Sequence, residues 1–212
     1  MPKVSDEHLA ARRRQILDAA LVCFSRRGFH QTPMQAIFEE AGLSPGAVYR
    51  YFKSKEEIVR AIASETLGGF AGAIEPGADG DPLGPVELLD RFFDFIEGIE
   101  RRRDRLRLAI QAWGEVLHNP ELSDFVRGLV DGLRTRMSAT LREAQDRGAV
   151  DPELDTDAAA RVLIAIAQGF AVQSAWFEDL DLPAFRAAAL SLLSHPAEVS
   201  RLRDDQRQKE TS

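Results

Sequence analysis

Four side chains near residue 50 carry the strongest chemical signal in the sequence. Ser44 is followed by three small residues, Pro45, Gly46 and Ala47, then by Tyr49, Arg50 and Tyr51, with Lys55 four residues further on. A helix that begins this way brings its N-terminus close to a partner surface and rings it with hydrogen-bonding groups. That suits a DNA major groove, where the helix N-terminus meets base edges and its flanks meet phosphates. Lys55 is in reach of a phosphate beside the same groove. Packing is the competing explanation for the tyrosines, but Tyr49 and Tyr51 are the only two in the chain. Two residues apart on a helix, they cannot both face one core.

A second group suggests ligand binding. Phe92, Phe93, Phe95, Ile96 and Ile99 put more aromatic surface on one segment than a narrow core stripe needs. They serve either as bundle core or as one wall of an apolar cavity, completed by Trp113, Phe170, Trp176 and Phe177. Polar Gln111, His118, Gln168 and Gln173 on otherwise apolar stretches favour the cavity. The small-residue stretch holding Val162, Ala165, Ile166 and Gly169 lets a second helix approach closely. With Leu190, Leu192 and Leu193 it is the candidate dimer surface.

Catalytic chemistry finds little support. Glu115 and His118 have the Glu-x-x-His spacing of di-iron helix bundles, but such a site needs a second pair and two further glutamates. No other histidine follows a carboxylate by three residues. Neither a Gly-x-Ser-x-Gly elbow nor a phosphate-binding glycine loop is present. The sequence therefore predicts no catalytic site, metal or cofactor. Lone Cys23, between Val22 and Phe24, reads as a buried small hydrophobe. A helical adaptor without a DNA role would leave residues 44–55 unexplained.

These groups need a scaffold, and composition bounds it. With 212 residues, one or two domains are expected. The chain is 29% charged and 44% hydrophobic, and no apolar run, 162–167 included, exceeds six residues. No membrane span is expected from that, nor does the start read as a secretory signal, so a cytoplasmic protein is the default. The net charge of −7 is unevenly divided: residues 1–60 hold ten basic and seven acidic side chains, the remainder 17 and 27. A basic end on an acidic body confines any nucleic-acid footprint to that end.

Strand patterns are nearly absent, whereas apolar residues recur at helical spacing throughout. Leu9, Ile16, Ala20, Cys23 and Phe24 define a helix over 7–27 ending at Gly28. Thr32-Pro33 reads as a cap and first-turn proline for a short helix to Ala41, stopped by Gly42; Ser44-Pro45 repeats the signal for a helix to about 52. Ser54 and Glu57 form a capping-box pattern for a helix over about 55–67. Residues 75–85, rich in proline and glycine, read as a loop. Further helices are predicted near 86–102, 104–117, 121–147, 155–177 and 183–194.

Two short helices across a Gly-containing turn match a helix-turn-helix. The stretches 28–37 and 40–58, above all Gly46, Tyr49, Phe52 and Lys55, resemble the N-terminal domain of the TetR family of transcriptional repressors. The C-terminal region resembles the betaine-regulator subgroup around 111–113 and 119–122. The resemblance implies an all-α homodimer: an N-terminal three-helix helix-turn-helix DNA-binding domain plus a C-terminal helical bundle for ligand binding and dimerisation. By position it implies that Thr32 caps the second helix and contacts phosphate, that Gln35 faces DNA, and that Pro45, Gly46 and Tyr49 enter the groove. Arg50, Tyr51 and Lys55 would contact phosphates or base edges, and Ser44 belongs to the same face. Phe38 departs from the family's usual small alanine and must be accommodated by a rearranged interior or partial exposure.

The resulting expectation is a DNA-binding domain over 1–54, a bundle over 55–195 with a connecting helix over 55–70, and a polar tail over 196–212. Such a protein would bind a double-stranded, palindromic DNA operator and be released by a small-molecule effector.

Overall fold

The computed structural model describes residues 6–74, 82–100, 102–116 and 119–194. Among them the chain is all-helical: α1 (Asp6–Arg27), α2 (Met34–Ala41), α3 (Pro45–Tyr49), α4 (Lys55–Ala73), α5 (Pro85–Gly98), α6 (Arg102–Val116), α7 (Pro120–Asp146), α8 (Thr156–Trp176) and α9 (Leu182–Leu193). Residues 75–81 of the expected loop and the expected tail lie outside the described residues.

Local chemistry sets most of these boundaries. Asn119, Asp155 and Asp181 accept amide hydrogen bonds from the first turns of α7, α8 and α9, satisfying donors that a helix start leaves without intrahelical partners. Gly42, at φ 63°, closes α2 in the left-handed region. At α4 the Ser54 hydroxyl accepts from the Glu57 amide as expected, but the Glu57 carboxylate accepts from Lys53 rather than Ser54. The helix also runs six residues beyond its expected end.

Two hydrophobic clusters organise the fold. One joins α1, α2 and α3 to the start of α4 through Ile16, Phe24, Ile37, Val48, Phe52 and Ile58, and reaches Leu108 of α6. The other fills the bundle through Leu88, Phe93, Leu141, Leu163 and Phe170. Phe38 is accommodated in the N-terminal interior at 5% exposure. Leu9, expected on the buried stripe of α1, is 36% exposed, because that stripe meets the core only from Ile16 onward.

One expectation needs correction. α8 is long and apolar enough, by length and composition, to cross a membrane. Judging by uninterrupted apolar runs missed it, because Arg161 and Gln168 break the run without lowering the average enough. It packs against α5, α6 and α7 in the bundle, through buried Leu163, Ile164 and Phe170, while Val162 and Trp176 stay exposed.

Candidate nucleic-acid interface and ligand cavity

The α2–α3 unit is held by its buried side. Ile37 and Val48 have no exposed surface, and the Gln15 side-chain amide donates to the Ala41 carbonyl at 2.7 Å, tying the end of α2 to α1. The other side is open: Gln35, Ser44, Pro45, Gly46, Tyr49 and Arg50 are all exposed. Ser44 caps α3 by accepting from the Ala47 amide at 3.3 Å, so the hydroxyl expected on the DNA face also builds the helix that presents it. Gln35 donates to Glu39 at 2.9 Å.

Tyr49 is 40% exposed, and its ring stands edge-on to Phe38, with centroids 5.3 Å apart and an interplanar angle of 69°. The phenylalanine that departs from the family pattern thus props the tyrosine that faces outward. Tyr51 is half-buried and packs against the N-terminal cluster.

Two expected phosphate contacts sit differently. Thr32 is fully buried; its hydroxyl donates to the Gly28 carbonyl at 2.7 Å, with the Cys23 carbonyl at 3.3 Å. The N-cap of α2 is Pro33, with no side-chain cap. Thr32 is therefore a lock on the end of α1, and its side chain is not available to a phosphate. Lys55 donates to the Phe29 and His30 carbonyls at 2.9 and 3.2 Å, and its ammonium lies 4.4 Å from the Phe29 ring centroid. Two of its three donors hold the α1–α2 turn against α4. In α1, Arg13 pairs with Glu65 and lies over Phe52, whereas Arg14 is exposed. Cys23 is a buried free thiol; burial, reinforced by Glu40, raises its pKa.

In the bundle a cavity of about 170 Å³ lies between α4, α5, α6, α7 and α8. Phe92, Phe95, Ile96 and Trp113 line it, with Gln168 opposite. Other expected members fall elsewhere. Phe170 is 2% exposed and packs edge-on to Phe93 in the core. Ile99 caps the end of α5 and packs on that core. Gln173 is half-buried near the end of α8, away from the lining. Trp176 and Phe177 are on the surface, 70% and 53% exposed. His118 and the Glu115 side chain lie outside the described residues.

Gln111 is the most consequential relocation. Its carbonyl oxygen accepts from the Phe29 amide at 2.9 Å and its amide donates to the Phe24 carbonyl at 3.4 Å, so it bonds the C-terminal end of α1. Ser25 donates to Asp104 at 2.5 Å, making a second link between α1 and α6. Local spacing marked Gln111 as polar on an apolar helix, but its partners lie more than 80 positions away. Arg105 and Thr66, which line the cavity, were missed: Arg105 sits in an arginine-rich stretch that looks like a solvated face.

Of the proposed dimer residues, Val162 and Ala165 are exposed, Val162 at 53%. Ile166, Leu190 and Leu193 are half-buried against the bundle core, and Gly169 is half-buried beside them in α8. Leu192 points outward at 82% exposure.

A short helix offered to a DNA groove, backed by a cavity whose α6 wall is bonded to that same head, belongs to a DNA-binding transcriptional regulator that answers to a ligand. Comparison with known proteins names the family. Residues 16–62 match the bacterial regulatory proteins of the tetR family, and residues 85–196 match the C-terminal region of BetI-type transcriptional repressors. The chain belongs to the TetR family. It is 29% identical over 199 residues to the HTH-type transcriptional repressor Rv1474c of Mycobacterium tuberculosis, covering 92% of this chain and 97% of that protein. Among solved structures, GusR of Salmonella enterica is 25% identical with a TM-score of 0.73, covering 91% of this chain and 97% of that one. Bacillus subtilis FadR, solved in complex with stearoyl-CoA, is 25% identical with a TM-score of 0.69, covering 85% and 96%.

Proposed function

We propose that the chain is a cytoplasmic repressor that binds a palindromic operator as a homodimer and leaves it when a small molecule enters the bundle cavity. The observation that carries this reading is the double use of α6. One side lines the cavity through Arg105, Ala109 and Trp113; another holds the end of α1 through Asp104 and Gln111. A ligand that displaces α6 therefore moves the helix on which α2 and α3 are mounted. The ligand must bind the DNA-incompetent arrangement more tightly, because equal affinity for both shifts nothing.

The dimer forms through α8 and α9, where Val162, Ala165, Trp176, Phe177 and Leu192 leave apolar surface exposed. It sets two copies of α3 in successive major grooves about 34 to 36 Å apart. Pro45, Gly46 and Tyr49 read bases, while Arg50 and Arg14 meet phosphates. FadR's occupation by stearoyl-CoA supports a cavity that takes an apolar ligand.

The test is operator affinity with the cavity filled from within. Ala109→Trp should weaken operator binding while the protein stays helical and dimeric, and unchanged affinity in a variant shown to fill the cavity would overturn the coupling.

A further inference from the structure

We propose that the effector is a hydrophobic carboxylate whose apolar body lies among Phe92, Phe95 and Trp113 and whose carboxylate binds Arg105. This rests on the cavity being the effector site, and it specifies the chemistry of that site. Arg105 stands in an otherwise almost wholly apolar lining, which holds no acidic side chain among the described residues. Its guanidinium Nη1 donates to the Thr66 hydroxyl at 3.1 Å, and that hydroxyl donates in turn to the Ile62 carbonyl at 2.8 Å. Thr66 thus spends its proton on its own helix and offers Arg105 only a lone pair, which orients the guanidinium from α4.

One such bond uses one of the five N–H donors that a guanidinium carries. The carboxylate nearest in sequence, Asp104, accepts from Ser25 of α1. Arg105 is half-buried and, among the described residues, no carboxylate is bonded to it; a ligand carboxylate can meet two of its donors at once in parallel, charge-assisted hydrogen bonds. A quaternary ammonium would instead bring a second positive charge to the same wall, with no acid among the described lining residues to receive it.

Size narrows the class. The cavity's roughly 170 Å³ is comparable to the engineered apolar cavity of about 150 Å³ that accepts benzene. A single ring or a short aliphatic chain fits, with the acid at the Arg105 end. The anchor also lies on the helix that grips α1, so an anion drawn to Arg105 acts directly on α6.

Calorimetric titration of the full-length protein tests this with four probes on one eight-carbon chain: octanoate, octanamide, octyltrimethylammonium and octanoyl-CoA. Octanoate should bind about tenfold or more tightly than octanamide, as a charge-assisted pair requires. The ammonium and the thioester should both bind more weakly than octanoate. Arg105→Met should remove the octanoate advantage, bringing octanoate and octanamide to similar affinities, and Arg105→Lys should restore part of it. Equal binding of octanoate and octanamide, tighter binding of the ammonium or thioester, or an Arg105→Met protein that keeps the octanoate preference would each overturn the proposal.

Ala167→Trp, which obstructs the cavity from α8 and leaves Arg105 in place, separates the two levels. If it abolishes octanamide binding while Arg105→Met has no effect on octanoate, the carboxylate proposal fails and the cavity stands. If octanamide binds undiminished to Ala167→Trp, or if no probe binds the wild-type protein, the cavity reading fails and the proposal fails with it.

Discussion

The side-chain oxygen of Gln111 accepts a hydrogen bond from the backbone amide of Phe29 at 2.9 Å, joining a helix of the bundle to the turn that leads into the DNA-binding helices. Phe29 follows Gly28, whose φ of 78° ends α1, so its amide belongs to neither α1 nor α2. Gln111 satisfies that amide and approaches the Phe24 carbonyl from the same side chain. The two halves are therefore connected by directional bonds as well as by apolar contact around Leu108.

Replacing Gln111 by Leu keeps the side chain's bulk and removes both bonds. The protein should still fold, with a loss of about 1 kcal/mol, because the partly buried Phe29 amide loses its partner while the Phe24 carbonyl keeps the bond from the Gly28 amide. A cavity ligand should then shift operator affinity less than the roughly 5- to 150-fold typical of linked sites. Operator titrations with and without octanoate measure this; an undiminished ligand effect would show that coupling runs elsewhere.

Thr32→Val is nearly isosteric and removes the hydroxyl that serves the end of α1. Thermal or urea unfolding should show a loss of about 1 to 3 kcal/mol. Affinity for random DNA and its salt dependence should not change, since the hydroxyl is buried. A drop in the salt slope with unaltered stability would return Thr32 to the phosphate-contacting group.

Lys55→Met should likewise act first on stability, by releasing the Phe29 and His30 carbonyls and the cation on the Phe29 ring. If Lys55 instead served a phosphate, the variant would fold normally and lose about one released ion from its salt dependence. Measuring melting temperature and salt slope on the same variant separates these outcomes.

Ala165→Glu places a charge on the exposed face of α8. In a dimer that buries this face without a partner for the carboxylate, desolvation opposes association. Sedimentation should report a folded monomer, and an intact dimer would place the interface elsewhere.

Much of this architecture was legible in the sequence because its determinants are local. Ser44-Pro45, Gly42, Asn119-Pro120 and Asp181 fix helix starts and stops within three or four residues of themselves, and those boundaries fall within a few residues of expectation. Lys55 reads locally as a phosphate contact and Thr32 as the cap of α2, because their actual acceptors, carbonyls of the turn after α1 and of α1 itself, are not set by local spacing. Apolar spacing likewise could not separate Phe92, which lines the cavity, from Phe170, which fills the core, since both sit on buried helix faces. Arg105 carried no signal at all. Its meaning comes from Thr66 on another helix and from an apolar lining assembled from five helices.

The measurement that tests the account most directly is selection of bound sequences from a random DNA library by the full-length protein, with Tyr49→Ala run in parallel. The wild-type protein should enrich a two-fold symmetric motif whose half-site centres are about 10 to 10.5 base pairs apart, or a multiple of that spacing. Tyr49→Ala should lose the preference at one symmetric pair of positions while keeping the spacing. Recovery of no enriched motif by a folded wild-type protein, or of a motif without two-fold symmetry, would contradict the account.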